Sequence, residues 1–560
     1  MKWISTSAAL AAICFGLAAG RAVAQEGSVA QSFDALAARM QQQDDQIRQL
    51  QSQVNAMQQQ QQQGVPVIPA ALGSGTAAAA PAPASAPKPV EVGSDTGDIK
   101  TTFKNGTGLN FTTPSGDFTM HAGFWVQWDN VWWRQNAVMN APASATTGAI
   151  GPLEDGDFWR RIRPFVEGTF YETCEYRFNI ALENNQFSTA GLDEFWIGIN
   201  KIPVIGTIRA GHVKDCEGLE GDMASSSRCM TFMERSLYSQ CIENDENFVN
   251  GVWFGNTWCD DRVFGSCVVF RPDNGSSGDF LGTGQYGVQT RWTCLPIYED
   301  EGRHLLHLGL SAGWRDGANS LGSGTAALDT VRLRARPELR DDDPAASPGS
   351  TTNANGVGGA GQFLPDANAN RIVDTGAINC QTEYRLGTEF LYIRGPWSLQ
   401  AEYGWNFLNN ANLTGRPVEN YQFNGGYVQL SYILTGEYRR YDKKYGTLSR
   451  YYLGGDGPYE NAFLVRDADG NFCCGHGAWE LAFRYSYVDL NSDLGSAGPI
   501  KGGIANGVSV ALNWYLNTNL SVMTDWVYDY RYDANSTANP TVAIPNGSTN
   551  GFGTEVQLTF

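Results

Sequence analysis

Beyond its first 24 residues the sequence lacks any run of about 18 apolar residues, the length a helix needs to span bilayer hydrocarbon. An integral form cannot therefore be helical. Charge is scarce as well: Asp, Glu, Lys and Arg make up 17 % of the chain, against about 25 % in an average soluble domain. Histidine numbers five, and no G-x-S-x-G elbow in hydrolase context, metal-ligand cluster or phosphate-cradling glycine loop occurs. An enzyme is thus the least supported class, and no cofactor or metal is expected. The net charge of −19 argues against holding nucleic acid or anionic lipid through a general positive field.

Glycine and aromatic residues are plentiful, with 64 Gly, 16 Trp, 23 Tyr and 27 Phe. Aromatics without long apolar runs suit a lipid-facing band edged by interfacial girdles; a soluble all-β secreted protein is the alternative. Residues 1–24 have the three-part form of a secretory leader, with Lys2, an apolar stretch from Ile4 to Leu17, and Ala22-Val23-Ala24 before Gln25. Losing Cys14 with the leader leaves ten cysteines, an even number in an oxidising compartment. Loop disulfides are the first reading and free thiols the second.

Residues 25–63 carry a heptad seam. Phe33, Leu36, Met40, Ile47, Leu50, Val54 and Met57 recur at spacings of three and four, with Gln43 at one core position, which points to a periplasmic coiled coil. A solitary amphipathic helix is the alternative. Residues 64–117 read as a Pro/Ala/Gly-rich linker.

From residue 118 to the end at 560 the period becomes two. Phe118, Met120, Ala122, Phe124, Val126 and Trp128 share one face, with His121, Gln127 and Asp129 on the other. The pattern returns at Leu481, Phe483, Tyr485 and Tyr487 against Glu480, Arg484 and Ser486. Sixteen to eighteen such segments predict an all-β fold, an antiparallel transmembrane β-barrel in the outer membrane. The chain ends on Phe560, with Phe552, Val556 and Leu558 at matching parity, which resembles the signal that barrel-assembly machinery reads. Trp132 and Trp133 read as interfacial girdle, and Trp125 and Trp196 as inward.

Several ordered stretches are similar to the phosphate-selective porin O/P family over most of 118–560. They are Arg160-Arg161-Ile162-Arg163-Pro164 with Glu167-Gly168, Arg209 through Lys214, Phe232-Met233-Glu234-Arg235-Ser236, Leu434-Thr435-Gly436-Glu437, Gly477 through Ser486, and Leu512-Asn513-Trp514-Tyr515-Leu516-Asn517. The resemblance implies a 16-stranded homotrimeric barrel with an inward constriction loop, placed by position at 214–247. Asp215-Cys216 departs from the family where a proline often stands. The segment is acidic, with Glu217, Glu220, Asp222, Glu243, Asp245 and Glu246.

Strand parity turns Arg161, Arg163, Arg177, Arg209, Arg291, Arg332, Arg334, Arg336, Arg385 and Arg484 toward the bore, against Glu167, Glu183, Glu194, Glu389, Glu402, Glu480, Asp525 and Glu555. The wall is nearly neutral in sum. Arginine suits an anion ladder because its charge is permanent and its fork grips oxygens in pairs; pairing with neighbouring carboxylates is the structural alternative. The expectation is passive diffusion of small hydrophilic solutes with a preference for anions such as phosphate. A non-selective diffusion pore, or an outer-membrane tether reaching the cell wall through the stalk, are the alternatives.

Overall fold

The strand Ala478–Ser492 shows how the sequence pattern becomes a wall: Leu481, Phe483 and Tyr485 are 47, 47 and 40 % exposed, while the alternating Glu480, Arg484 and Ser486 are fully buried. Successive side chains of a strand point to opposite faces, so one face is apolar and the other is polar from Glu480 to Ser486 except at Ala482, giving way to buried Val488 and Leu490 further along. In the computed structural model such strands close into an antiparallel barrel. The structure describes residues 99–560 except 105–107, 143, 145, 154, 183–190, 222–228, 244–247, 272–285, 317–329, 341–370, 414–417, 455–460, 467–471, 494–498, 538, 540 and 560. The leader, the heptad segment, most of the linker and Phe560 lie outside the described residues.

The sixteen wall strands are β1 (Phe118–Gln135), β2 (Gly156–Phe170), β3 (Cys174–Ala181), β4 (Gly191–Ile202), β5 (Gly206–Lys214), β6 (Phe248–Trp258), β7 (Val263–Arg271) and β8 (Gly287–Glu299), continuing through β9 (His304–Asp316), β10 (Thr382–Arg394), β11 (Trp397–Leu413), β12 (Glu419–Ile433), β13 (Ala478–Ser492), β14 (Ile500–Tyr515), β15 (Leu520–Tyr532) and β16 (Gly547–Thr559). Each pairs with its sequence neighbour, and β16 closes on β1 from Thr549↔Gln135 to Thr559↔Trp125. Closure satisfies the backbone groups of both edges, which lipid cannot do. The range of sixteen to eighteen resolves at its lower limit.

Aromatic rings ring the outer surface near the strand ends. Trp479 stacks on Trp514 at 5.1 Å and Trp258 on Trp292 at 5.6 Å. Others turn a polar tip to outward asparagines: Tyr403 donates to Asn424 at 2.7 Å, Tyr485 to Asn506 at 2.6 Å and Trp526 to Asn550 at 2.9 Å. Amphipathic rings of this kind favour the membrane–water interface. Trp132 is exposed beside Phe552. Its neighbour Trp133 corrects the sequence reading, because period two turns it inward, where it is buried in an apolar cluster with Leu339.

Two further differences concern the linker and the cysteines. Lys100–Lys104 and Gly108–Thr112, inside the stretch read as linker, form an antiparallel hairpin that adds to the start of β1 through Leu109↔Ala122 to Thr112↔Thr119. Their threonine and phenylalanine residues favour a strand. Among the described residues nine cysteines stand outside any disulfide, so the disulfide expectation gives way to the second reading. They occupy separate surroundings: Cys216 is packed in an apolar cluster with Trp253, Cys241 donates to the Leu237 carbonyl at 3.0 Å, and Cys174 and Cys259 are exposed.

One rim has short connections, such as Gly395-Pro396 between β10 and β11, and the other has long ones. The 434–477 connection breaks that rule. It lies on the short-turn rim yet is long enough to hold a hairpin, Tyr438–Asp442 with Thr447–Gly454.

Candidate permeation site

Inward-folded segments decide what space is left, and among the described residues three of them are tied to charged groups of the wall. The first follows β5. Its one-turn helix α1 (Leu237–Cys241) is wholly buried and begins at Ser236, whose side chain accepts from the Ser239 amide. Glu402 on β11 accepts the amides of Leu219 at 2.5 Å and Glu220 at 2.8 Å. Four strands further round the wall, Asp525 on β15 accepts the Met233 amide at 2.8 Å. A segment tied to well-separated strands of the wall has the form expected of a constriction loop.

Its carboxylates anchor it to wall arginines. Glu217 meets Arg385 at 3.1 Å, Glu220 meets Arg484 at 2.9 Å, and Glu234 pairs with Arg160. Burial pushes the Glu217 carboxyl up to about 8, against the pull of Arg385, whose charge is shared with Glu383. Burial and then the neighbouring Glu402 also raise the Glu243 carboxyl well above its ordinary value. Gly218, at φ +67°, has no room for a Cβ against the Glu243 carboxylate, so both its backbone and its packing require glycine. Asp222, Asp245 and Glu246 lie outside the described residues.

The second inward segment lies between β9 and β10. Glu338 is fully buried and accepts from Arg484 at 2.9 Å, from Ser509 at 2.5 Å and from the Leu237 amide at 3.0 Å. Arg484 thus sits between Glu220 and Glu338, joining both segments to β13. A buried guanidinium with two carboxylates is stable only while every charge keeps its partner.

The third is the hairpin of the short-turn rim. Arg209 on β5 donates from Nε to Glu175 at 2.7 Å and from Nη2 to the Tyr445 hydroxyl at 2.8 Å. Its guanidinium lies 4.2 Å from the Trp196 ring centre and 4.7 Å from that of Trp253, a geometry in which ring quadrupoles attract a cation. Arg291 makes a two-pronged pair with Glu389 at 2.8 and 2.7 Å and donates to the Tyr445 and Gly446 carbonyls at 3.2 and 2.8 Å. His307 bonds both Glu389 and the Tyr441 hydroxyl. Gly446, at φ +61°, abuts the wall so closely that a Cβ would lie 2.5 Å from the Thr293 hydroxyl.

Between this hairpin and β2 to β6 remains a cavity of about 310 Å³. Its cations are Arg177, Arg209, Lys214 and Lys444, and its carboxylates Glu167, Glu175, Glu194 and Asp442. Arg177 pairs with both Glu167 and Glu194. Lys444 is exposed, whereas the other seven groups are buried or half-buried.

The sequence candidates separate accordingly. Arg177 and Arg209 line the cavity, and Arg484 is sealed beneath the two crossing segments. Arg161 is buried and donates to Gln127 at 2.7 Å; Arg163 lies over the Trp125 ring at 5.7 Å. For the triple the structure corrects the parity argument, since Arg332, Arg334 and Arg336 belong to no wall strand. Arg332 is exposed and pairs with Asp374, Arg334 sits in a two-residue strand against Asp374, and the Arg336 amide donates to Gln240 at 3.1 Å. Parity fails there because the backbone has already left the wall. It also missed Arg160: a bulge at Gln127/Trp128 opposite Arg161/Trp159 adds one residue to β2, so consecutive arginines both reach inward. Glu338 and Tyr445 were unmarked by any local signal. Among the described residues no group of three or more His, Cys, Asp or Glu could hold a metal ion.

The model of the family described as phosphate-selective porin O and P matches residues 154–364 and 364–560. The chain belongs to that family. Porin O of Pseudomonas aeruginosa is 24 % identical over 353 residues, covering 61 % of this chain and 68 % of that protein. An uncharacterized protein of Caulobacter vibrioides is 26 % identical over 352 residues, covering 60 % of this chain, which spans 56 % of that relative's length. Among solved structures, OmpT of Vibrio cholerae covers 79 % of this chain and 98 % of its own at a TM-score of 0.41 and 9 % identity. Another, the anion-selective porin from Comamonas acidovorans, covers 79 % and 100 % at a TM-score of 0.41 and 9 % identity.

Proposed function

We propose that this porin O/P family member is an outer-membrane porin that passes small hydrophilic solutes by passive diffusion and prefers anions to cations among simple ions. The supporting observation is the residual cavity along β2 to β6, whose exposed charge is the Lys444 ammonium and whose buried cations include the permanently charged Arg209. Charged groups along a pore set which ion is admitted, while several weak contacts let it leave. Phosphate is one such anion. Reversal potentials across a planar bilayer in a KCl gradient test the reading: chloride should be favoured, and Lys444→Glu should reduce that preference. Cation preference persisting after Glu217 and Glu220 are neutralised overturns it.

A non-selective pore is the second reading, favoured by the equal numbers of cations and carboxylates around the cavity. It predicts little phosphate block of chloride current. The same proposal includes a cleaved leader at 1–24, a periplasmic coiled coil at 25–63, a homotrimer and assembly through Phe560. Loss of residues 25–90 with unchanged envelope integrity would remove a cell-wall role for the stalk.

A further inference from the structure

Resting on the porin reading, we propose that the cavity between the short-turn-rim hairpin and β2 to β6 is a binding site for small amphoteric solutes, carrying one carboxylate and one ammonium group, of amino-acid type. Three observations carry it. The cavity, about 310 Å³, falls at the lower end of pockets that enclose small ligands. Its four cations stand beside four carboxylates, so a solute that matches both signs gains more than an anion that matches one. Finally, the charges are fixed in place. Arg209 is clamped by Glu175, Tyr445 and two indole rings, and Arg177 is held between Glu167 and Glu194. Preorganised charges lose little freedom when a solute arrives.

The open ends of this array differ in sign. Glu167 and Glu194 keep 21 and 12 % of their side chains exposed, whereas the exposed cation is Lys444, carried by the hairpin. An ammonium group is served by the first pair and a carboxylate by Lys444. The hairpin therefore supplies one half of the recognition and the wall the other.

Swelling of liposomes containing the full-length protein separates the possibilities, with threonine, erythritol and potassium 3-hydroxybutyrate as solutes and a potassium ionophore carrying the counterion. Threonine should enter about threefold faster than the other two, the scale of one screened ion pair. The threonine-to-erythritol ratio should fall to about one in both Glu194→Gln and Lys444→Gln, each checked for heat-modifiable mobility as a mark of a folded barrel. Hydroxybutyrate entering fastest, equal entry of all three, or unchanged ratios in both folded variants overturns the amphoteric site while leaving the porin intact. No entry of erythritol above empty liposomes sinks the porin reading itself and the site with it.

Discussion

The two sides of the bore are built from the same residue types and used oppositely. On β8 to β16 the inward charges are covered: Arg291, His307, Arg484, Glu480 and Glu555 are all fully buried under the inward segments. On β2 to β6 the inward Arg177, Glu194 and Arg209 border open space. Alternation therefore makes a charged lining but not a channel; a channel is the part of that lining the loops leave uncovered.

The largest break in this comparison should come from Arg484→Met. It strands Glu220 and Glu338 in a dry environment, at a cost of about 3–5 kcal/mol for a buried pair losing one partner. Chemical unfolding should show a barrel less stable by that order, and conductance should become larger and noisier as both segments lose their common anchor. Unaltered current would mean that the covered side contributes nothing to occlusion.

Next in size is Tyr445→Ala, which removes the hydroxyl from Arg209 and leaves the hairpin held by Arg291 and the His307–Tyr441 bond. Single-channel recordings should show conductance raised about twofold, as expected for widening one of a few constrictions. Gly198→Leu tests the open side in the other direction. A Cβ there would lie 2.7 Å from the Ile208 carbonyl and 3.0 Å from Arg209 Cγ, so the Glu175–Arg209 pair must shift and conductance should drop.

The last effect is that of pH. Burial places the Glu217 carboxyl near 8 in the folded chain, above the unfolded value of about 4.3. Its proton is thus held between those values when folded and lost when unfolded. Seating of the segment should weaken as pH rises from about 4.3 to 8 and level off above, by the linkage of proton binding to stability. Channel noise should rise over that window, and Glu217→Gln should flatten the dependence. A pH-independent trace in the parent protein contradicts the assignment.

Much of the wall was legible because each strand residue answers to a local rule: lipid on one face, polar bore on the other. Glu480, Arg484 and Leu481 announce their sides by position alone. Trp133 was misread because an aromatic at a strand end fits either an interface or a buried packing site, and parity had to overrule composition. Arg160 was missed because a bulge resets the count. The triple at 332–336 looked like strand alternation, yet its partners lie in an inward-folded loop.

The one-dimensional pattern was sufficient to determine the class of fold, its closure and the sign of most inward positions, since those follow from period two in contact with two solvents. Which charges remain accessible was decided by tertiary structure. Contacts such as Glu220 to Arg484, 264 positions apart, or Tyr445 to Arg209, 236 positions apart, depend on where loops cross the bore. No local periodicity encodes that crossing, because its free energy comes from pairing groups that meet only after the barrel has closed.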